Sequence, residues 1–316
     1  MRDLRIVFMG TPDFAVAILK RIINDGYTVV GVITAPDKPA GRGRKLNESA
    51  VKKYAKSQGL HLLQPTNLKD ENFLGELYSL NANLQIVVAF RMLPKVVWSN
   101  PEFGTFNLHA SLLPDYRGAA PIHWSIINGE KKTGVTTFFI DEKIDNGEII
   151  LKKEVSIGDD ETVGELHDRL MFLGAEAVVD TLQLVKDNKV VTSKQTETEI
   201  ETKIAPKLNP ENCRINWTDS LENIYNHIRG LNPFPASWSE MENNNEIITL
   251  KVYNIRKEKI HHNISIKSII TTKKEIKVAV NEGYIILDTL KISGKKKMDA
   301  TSLLNGYSFS PDAKML

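Results

Sequence analysis

The run Leu4 to Met9 is, apart from Arg5, apolar without alternation and is closed by Gly10. A second strand-like run, Tyr27 to Thr34, follows one helical stripe later. An unalternating run reads as a strand buried on both faces, the habit of parallel sheets. Between the two, Gly10-Thr11-Pro12-Asp13 turns the chain into a helix, with Thr11 expected as its N-cap and Pro12 at its first position. Ala15, Ile18, Leu19, Ile22 and Ile23 form the apolar stripe of that helix. A β-α-β opening of this kind restricts the chain to right-handed crossovers and predicts an α/β fold, a Rossmann-like doubly wound parallel sheet. Gly10 is the one glycine of the turn, so the three-glycine dinucleotide fingerprint is absent and a nicotinamide cofactor is not indicated.

Further strands are expected at His61 to Leu63, Leu84 to Phe90, Thr105 to His109, Gly134 to Ile140 and Ile149 to Val155. Asn47 or Ser49 should start a helix, and Thr162 to Val185 reads as a long one. On the strand at Thr105, Asn107 and His109 stand two apart and share a face. An amide donor beside an imidazole suits chemistry in which negative charge develops on an oxygen while a proton moves. The alternative, a structural histidine beside a turn-capping asparagine, stays open on spacing alone. Asp145-Asn146-Gly147 is expected as a turn before the next strand, from which Asp145 is either within reach of His109 or an ordinary turn aspartate. Ala35 to Lys45 holds two prolines, two glycines and four cationic side chains and reads equally as a solvated surface loop or as a basic flap whose Arg42 meets phosphate.

With 316 residues, 41% of them hydrophobic, the chain is long enough for two domains. The expected division is 1–192, a polar linker at 193–206, and 207–316. In the last part Leu221 to Arg229 should be a helix. Short runs at Ile247 to Val252, Ile264 to Ile270, Ile276 to Val280 and Tyr284 to Leu290 predict a smaller C-terminal OB-like β-barrel. Residues 205–316 carry 16 Lys and Arg against 12 Asp and Glu, a mild excess that hints at a polyanionic partner. The single cysteine, Cys213, excludes internal disulfides, and seven histidines without metal-ligand spacing predict no metal. No apolar run approaches the roughly 20 residues of a membrane span. Together with the absence of a signal-peptide core, this predicts a cytoplasmic protein with no membrane partner. No conspicuous apolar surface helix is read, so a monomer is expected.

Several of these segments are similar to one family. Phe8-Met9-Gly10-Thr11-Pro12-Asp13-Phe14, Pro36-Asp37-Lys38-Pro39-Ala40-Gly41-Arg42-Gly43 and Asn107-Leu108-His109-Ala110-Ser111-Leu112-Leu113-Pro114-Asp115-Tyr116-Arg117-Gly118 resemble the methionyl-tRNA formyltransferase family. So do Ile204-Ala205-Pro206-Lys207-Leu208, Asn232-Pro233-Phe234-Pro235-Ala236 and Gly294-Lys295-Lys296-Lys297-Met298. The Asn-His-Ser-Leu-Leu-Pro core is common to folate-dependent formyltransferases and specifies the chemistry. The early glycine turn, the flap and the carboxyl-terminal segments specify the acceptor.

The resemblance implies transfer of a formyl group from 10-formyltetrahydrofolate to the α-amine of initiator methionyl-tRNA, for translation initiation. It implies Asn107, His109 and Asp145 as the catalytic residues. The folate site would be formed by Ala89, Phe90, Arg91, Met92 and Leu93, with Ser111, Leu112, Leu113, Pro114 and Asp141. The tRNA contacts would be Lys38, Arg42, Arg44 and Lys45 in the flap and Lys207, Lys295, Lys296 and Lys297 beyond it. Where the family has Tyr-Gly after its Val-Val-Ala, this chain has Phe90-Arg91, an altered edge to the folate pocket. A sugar-nucleotide or ribonucleotide formyltransferase, a formyl-folate hydrolase and a nonenzymatic RNA-binding protein are the competing readings.

Overall fold

The computed structural model of the chain describes residues 1–40, 45–195 and 202–316, with the side chains of residues 39, 40 and 45 also outside the description. Up to Lys186 the described chain runs through β1 (Arg5–Gly10), α1 (Asp13–Asn24), β2 (Thr28–Ile33), β3 (Lys38–Ala40), β4 (Lys45–Asn47), α2 (Ala50–Ser57) and β5 (Leu62–Leu63). It continues through α3 (Glu71–Ser79), β6 (Leu84–Val88), α4 (Lys95–Trp98), β7 (Thr105–His109), β8 (Arg117–Gly118), α5 (Pro121–Ile127), β9 (Lys132–Phe139), β10 (Ile149–Ser156) and α6 (Val163–Lys186). Two compact units result. The first comprises Met1–Gly118, Gly134–Val155 and His167–Ile204, and the second Ala119–Thr133, Ser156–Leu166 and Ala205–Leu316.

The main sheet has the order β10-β9-β7-β6-β1-β2-β5. Strands β7, β6, β1, β2 and β5 pair in parallel, as the β-α-β opening requires. β9 departs from that pattern by joining β7 antiparallel, with His109 opposite Thr136 and Asn107 opposite Phe138. The sheet is therefore mixed. From β1 the chain steps outward to β2 and β5, then returns to place β6 on the other side. That reversal opens a crevice beyond the carboxyl ends of β1 and β6, where ligands of open α/β sheets bind. Gly10 sits at its edge. A β-carbon there would lie 2.6 Å from Ala15 Cβ and 3.0 Å from the Val88 carbonyl oxygen, so only glycine lets the turn into α1 pass this close.

Local signals set most of the helices. Ser49 caps α2 by accepting from the Lys52 N–H, and Asp70 caps α3 in the same way from Phe73. Each such cap contributes about 1 kcal/mol. Thr11 does not cap α1: Pro12 holds the N-cap position, with no side-chain cap. The Pro12 carbonyl instead accepts from the Ala15 and Val16 N–H groups, so the backbone closes the first turn.

β11 (Ile204–Ala205) straddles the boundary, and the second unit continues through α7 (Leu221–Arg229), β12 (Ser237–Asn243), β13 (Glu246–Val252), β14 (Ile255–Lys259), β15 (Ile269–Thr271), β16 (Ile276–Val280) and β17 (Gly283–Leu287). β18 (Thr289–Ile292), β19 (Met298–Asp299), α8 (Ala300–Leu304) and β20 (Lys314–Met315) complete it. A five-stranded sheet, β19-β18-β13-β12-β20, and a four-stranded one, β14-β17-β16-β15, pair antiparallel throughout and share one core. This is the antiparallel C-terminal domain expected from its short runs. The predicted strand at Ile264 to Ile270 is shorter, because Ile264 and Ile266 are exposed and Lys267 adopts φ +77°. Tyr284 to Leu290 is two strands: at Asp288 the chain leaves one sheet for the other.

Helix α7 buries Leu221, Ile224, Tyr225 and Ile228 on one stripe, capped by Ser220. His227 lies on the same helix. Its Nε2 is buried and has no hydrogen-bond partner among the described residues. Burial pushes its basicity below the ordinary imidazole range, an effect opposed by a hydrogen bond with the Cys213 backbone and by Asp219. The unfolded chain then binds the proton more readily than the folded one, so stability is complete above the unfolded value of about 6.5 and falls as pH drops below it. The loss of urea midpoint between pH 7.5 and 5.5 should therefore shrink in His227→Gln; an unchanged loss would show that His227 carries none of it.

Candidate active site

β7 presents Asn107 and His109 on one face through its two-residue period. Buried between β6 and β9, His109 is only 6% exposed. Its Nε2 lies 2.8 Å from the Tyr116 carbonyl oxygen. A carbonyl only accepts, so Nε2 carries the hydrogen and Nδ1 of the neutral ring keeps the lone pair. Nδ1 faces Asp145 Oδ2 at 3.9 Å. The carboxylate is just beyond direct hydrogen-bond reach of the ring.

Asp145 lies between β9 and β10 and takes φ +50°, a left-handed conformation that Asp tolerates better than most residues. Its Oδ2 accepts from the Gly118 N–H at 3.0 Å. Two residues on, Gly147 is pressed so tightly to the end of β9 that a β-carbon would fall 1.6 Å from the Phe139 carbonyl oxygen. Asn107 completes the constellation. Its half-buried carboxamide has no hydrogen-bond partner among the described residues, which leaves its N–H donors uncommitted.

The exits of β6 and β7 lie at one end of the sheet. The 141–145 loop leaves β9 beside the start of β7, where the Ile140 N–H donates to the Thr105 carbonyl, and brings Asp145 to His109 at the end of β7, while Lys95 meets Glu142 of that loop at 2.7 Å. Ala89 takes φ +47° and, like Met92 at 72% exposure, faces solvent; Phe90 and Leu93 pack on the core. Arg91, the departure from the family pattern, turns its guanidinium onto the Pro65 and Thr66 carbonyls, which fastens the exit of β6 to the loop after β5. Ser111 is fully buried and donates to the Asp115 carbonyl at 2.6 Å. The Thr136 hydroxyl donates to the Ser111 carbonyl at 2.7 Å and accepts from the Leu113 N–H at 3.2 Å. Leu112 is half-buried, Leu113 joins a small core with Phe138 and Ile149, and Pro114 follows a cis peptide bond. The Asp141 carboxylate accepts from the Lys143 N–H at 2.8 Å, which shapes the loop that carries Asp145.

Of the basic residues, Lys38 is exposed on β3, while Arg42, Arg44 and the Lys45 side chain lie outside the described residues. In the second unit Lys207, Lys295, Lys296 and Lys297 are exposed. The Lys295 ammonium stands 5.6 Å from the Tyr307 ring and that of Lys297 4.0 Å from the Tyr253 ring. Tyr116, Arg117 and Gln195 were not singled out from the sequence as site residues. Tyr116 acts through its backbone oxygen and Gln195 lies in the polar connector, so residue type signals neither.

Comparison with known proteins bears on what this arrangement does. A formyl transferase family model matches residues 4–182, and a formyl transferase C-terminal domain model matches residues 207–308. Methionyl-tRNA formyltransferase of Flavobacterium johnsoniae is 58% identical over 315 residues, spanning 100% of both chains. The chain belongs to the methionyl-tRNA formyltransferase family. The enzyme of that name from Parabacteroides distasonis is 51% identical over 96% of each chain. Among solved structures, the sugar 3N-formyl transferase WlaRD superposes with a TM-score of 0.65 at 21% identity, covering 94% of this chain and 100% of its own. At that identity it shows a common fold. The mixed Rossmann-like sheet followed by an antiparallel C-terminal domain is thus the architecture of this family.

Proposed function

We propose that the chain transfers the formyl group of 10-formyltetrahydrofolate to the α-amine of initiator methionyl-tRNA, with Asn107, His109 and Asp145 as its catalytic residues. The observation that carries this reading is the unpartnered Asn107 carboxamide beside an imidazole whose Nδ1 faces a carboxylate at 3.9 Å. The amine attacks the formyl carbon and its carbonyl oxygen becomes an oxyanion. The Asn107 Nδ2–H donates to that oxygen, a fixed dipole that needs little reorganisation as charge develops. With Nε2 committed to Tyr116, Nδ1 is the ring atom that takes the proton lost by the amine, and Asp145 stabilises the resulting imidazolium. The same proton passes to the folate N10 as its bond to the formyl carbon breaks, leaving tetrahydrofolate and the formylated amine. The formyl donor is a co-substrate, and no metal enters this scheme.

The pterin is assigned to the exits of β6 and β7, Ala89 to Leu93 and Ser111 to Pro114, with Asp141 at the adjoining loop. Arg42, with Lys38, Arg44 and Lys45, is assigned to the tRNA acceptor end, and Lys207 and Lys295 to Lys297 to its backbone. Residues 1–192 would carry the chemistry, 193–206 would connect, and 207–316 would hold the tRNA. Among the described residues no helix is long and apolar enough to cross a membrane. A monomer acting in the cytoplasm is the form proposed.

Purified protein supplied with 10-formyltetrahydrofolate should formylate charged initiator tRNA in preference to elongator methionyl-tRNA and to an amino sugar nucleotide. Formylation of the sugar amine alone would overturn the tRNA assignment. In the same assay Arg42→Ala should raise the KM for tRNA by about tenfold, the worth of one charge-assisted contact, with the folate KM unchanged. Equal losses in both would remove the flap from tRNA recognition.

A further inference from the structure

We propose that Gln195 is a positioning residue for Asp145, coupled to it by a clamp that also includes Arg117. This rests on the catalytic reading of Asp145 given above. The Gln195 carboxamide has every polar atom committed. Its Nε2 donates to the Asp145 carbonyl at 3.0 Å and to the Gly147 carbonyl at 2.9 Å, the two ends of the turn that carries the carboxylate. Its Oε1 accepts from Arg117 Nε at 3.1 Å and from an Arg117 terminal nitrogen at 2.6 Å. The amide has one workable orientation, because turning it over would face its oxygen to two carbonyls and its NH2 to a guanidinium.

The clamp has a firm base. Ser193 and Ile149 exchange backbone hydrogen bonds of 2.8 and 2.9 Å, which fixes the segment carrying Gln195 beside the start of β10. Arg117 directly precedes Gly118, whose N–H holds Asp145 Oδ2. Asp145 is thereby gripped from two sides, its backbone by Gln195 and its carboxylate by Gly118, and both grips meet at Arg117-Gly118. Such restraint is needed because Asp145 holds a left-handed conformation that is costly for a residue other than glycine. Without the carbonyl bonds the turn relaxes and the carboxylate leaves its place opposite His109 Nδ1. A displacement of about 1 Å in a catalytic group is enough to cost up to about a hundredfold in rate.

The test is a mutant cycle on the full chain, read as kcat and as KM for both substrates, with melting temperatures recorded. Gln195→Ala should lower kcat by about ten- to a hundredfold, with both KM values within about threefold of the parent and little change in melting. Gln195→Glu keeps the size and the Arg117 contact but cannot donate to the two carbonyls, and should be as slow as the alanine variant. In an Asp145→Asn background, itself strongly impaired, Gln195→Ala should cost no more than about twofold further, since both changes remove the same function. A full additional loss in that background would mean general damage and overturn the proposal. So would a Gln195→Ala variant with parental kcat beside an impaired Asp145→Asn. Should Asp145→Asn itself turn over normally, the catalytic reading of Asp145 fails first and the clamp's role fails with it.

Discussion

His109→Ala should lower kcat for formyl transfer by about a thousandfold while leaving folate binding within about twofold of the parent. General acid–base groups contribute about 10²–10⁴ in rate, and this imidazole is the only one in contact with Asp145 among the described residues. The expectation follows from how the ring is held. Its Nε2–H is committed to the Tyr116 carbonyl, a contact that needs no substrate and sets the tautomer. Nδ1 is left for proton transfer. His109→Asn should not rescue turnover, because an amide in that pocket can donate but cannot carry a proton at neutral pH. Stopped-flow single turnovers with bound formyl donor separate the chemical step from product release. An undiminished single-turnover rate in His109→Ala would take the imidazole out of the mechanism.

Asn107→Ala should cost about 10²–10³ in kcat, the loss typical of a missing oxyanion donor. Its amide carries no structural hydrogen bond among the described residues, so the fold does not depend on it and the melting temperature should hold within about 2 °C. Asn107→Asp is the sharper variant. It preserves shape but sets a negative charge where the oxyanion forms, so it should be at least as slow as alanine at neutral pH. An Asn107→Asp enzyme retaining parental turnover would show that the developing charge lies elsewhere. Both variants should bind folate with affinity near that of the parent, checked by equilibrium titration.

Much of this chain is readable without coordinates where a local period carries the signal. The runs at Leu4 and Leu84 are apolar but for Arg5 and Gln85, and they form central parallel strands. The stripe of α1 and the Leu221 to Arg229 helix follow from apolar spacing. Where period and composition part, the sequence is silent. β12, Ser237–Asn243, buries Ser237, Ser239, Met241 and Asn243, three of them polar, so its inward face does not look like one. Ser239 earns that position by accepting from the Trp217 indole, and Asn243 by donating to Tyr307, partners that no local pattern announces. β14, Ile255–Lys259, was hidden for a related reason: it is a charged, half-exposed edge that among the described strands pairs with β17 alone.

The candidate site divides along the same line. Residue types and the two-residue period of a strand are properties of the chain itself, and they determined that Asn107 and His109 share a face and what chemistry an amide and an imidazole can support. The tertiary structure alone decided which imidazole nitrogen is free, how near Asp145 comes to it, and that Gln195, 50 positions away from Asp145 and 78 from Arg117, ties the two together. The physical reason is range. Strand and helix periods are written by neighbours a few residues apart, whereas the approach of a left-handed turn to a buried ring depends on how β7, β9 and the connector close on one another in space.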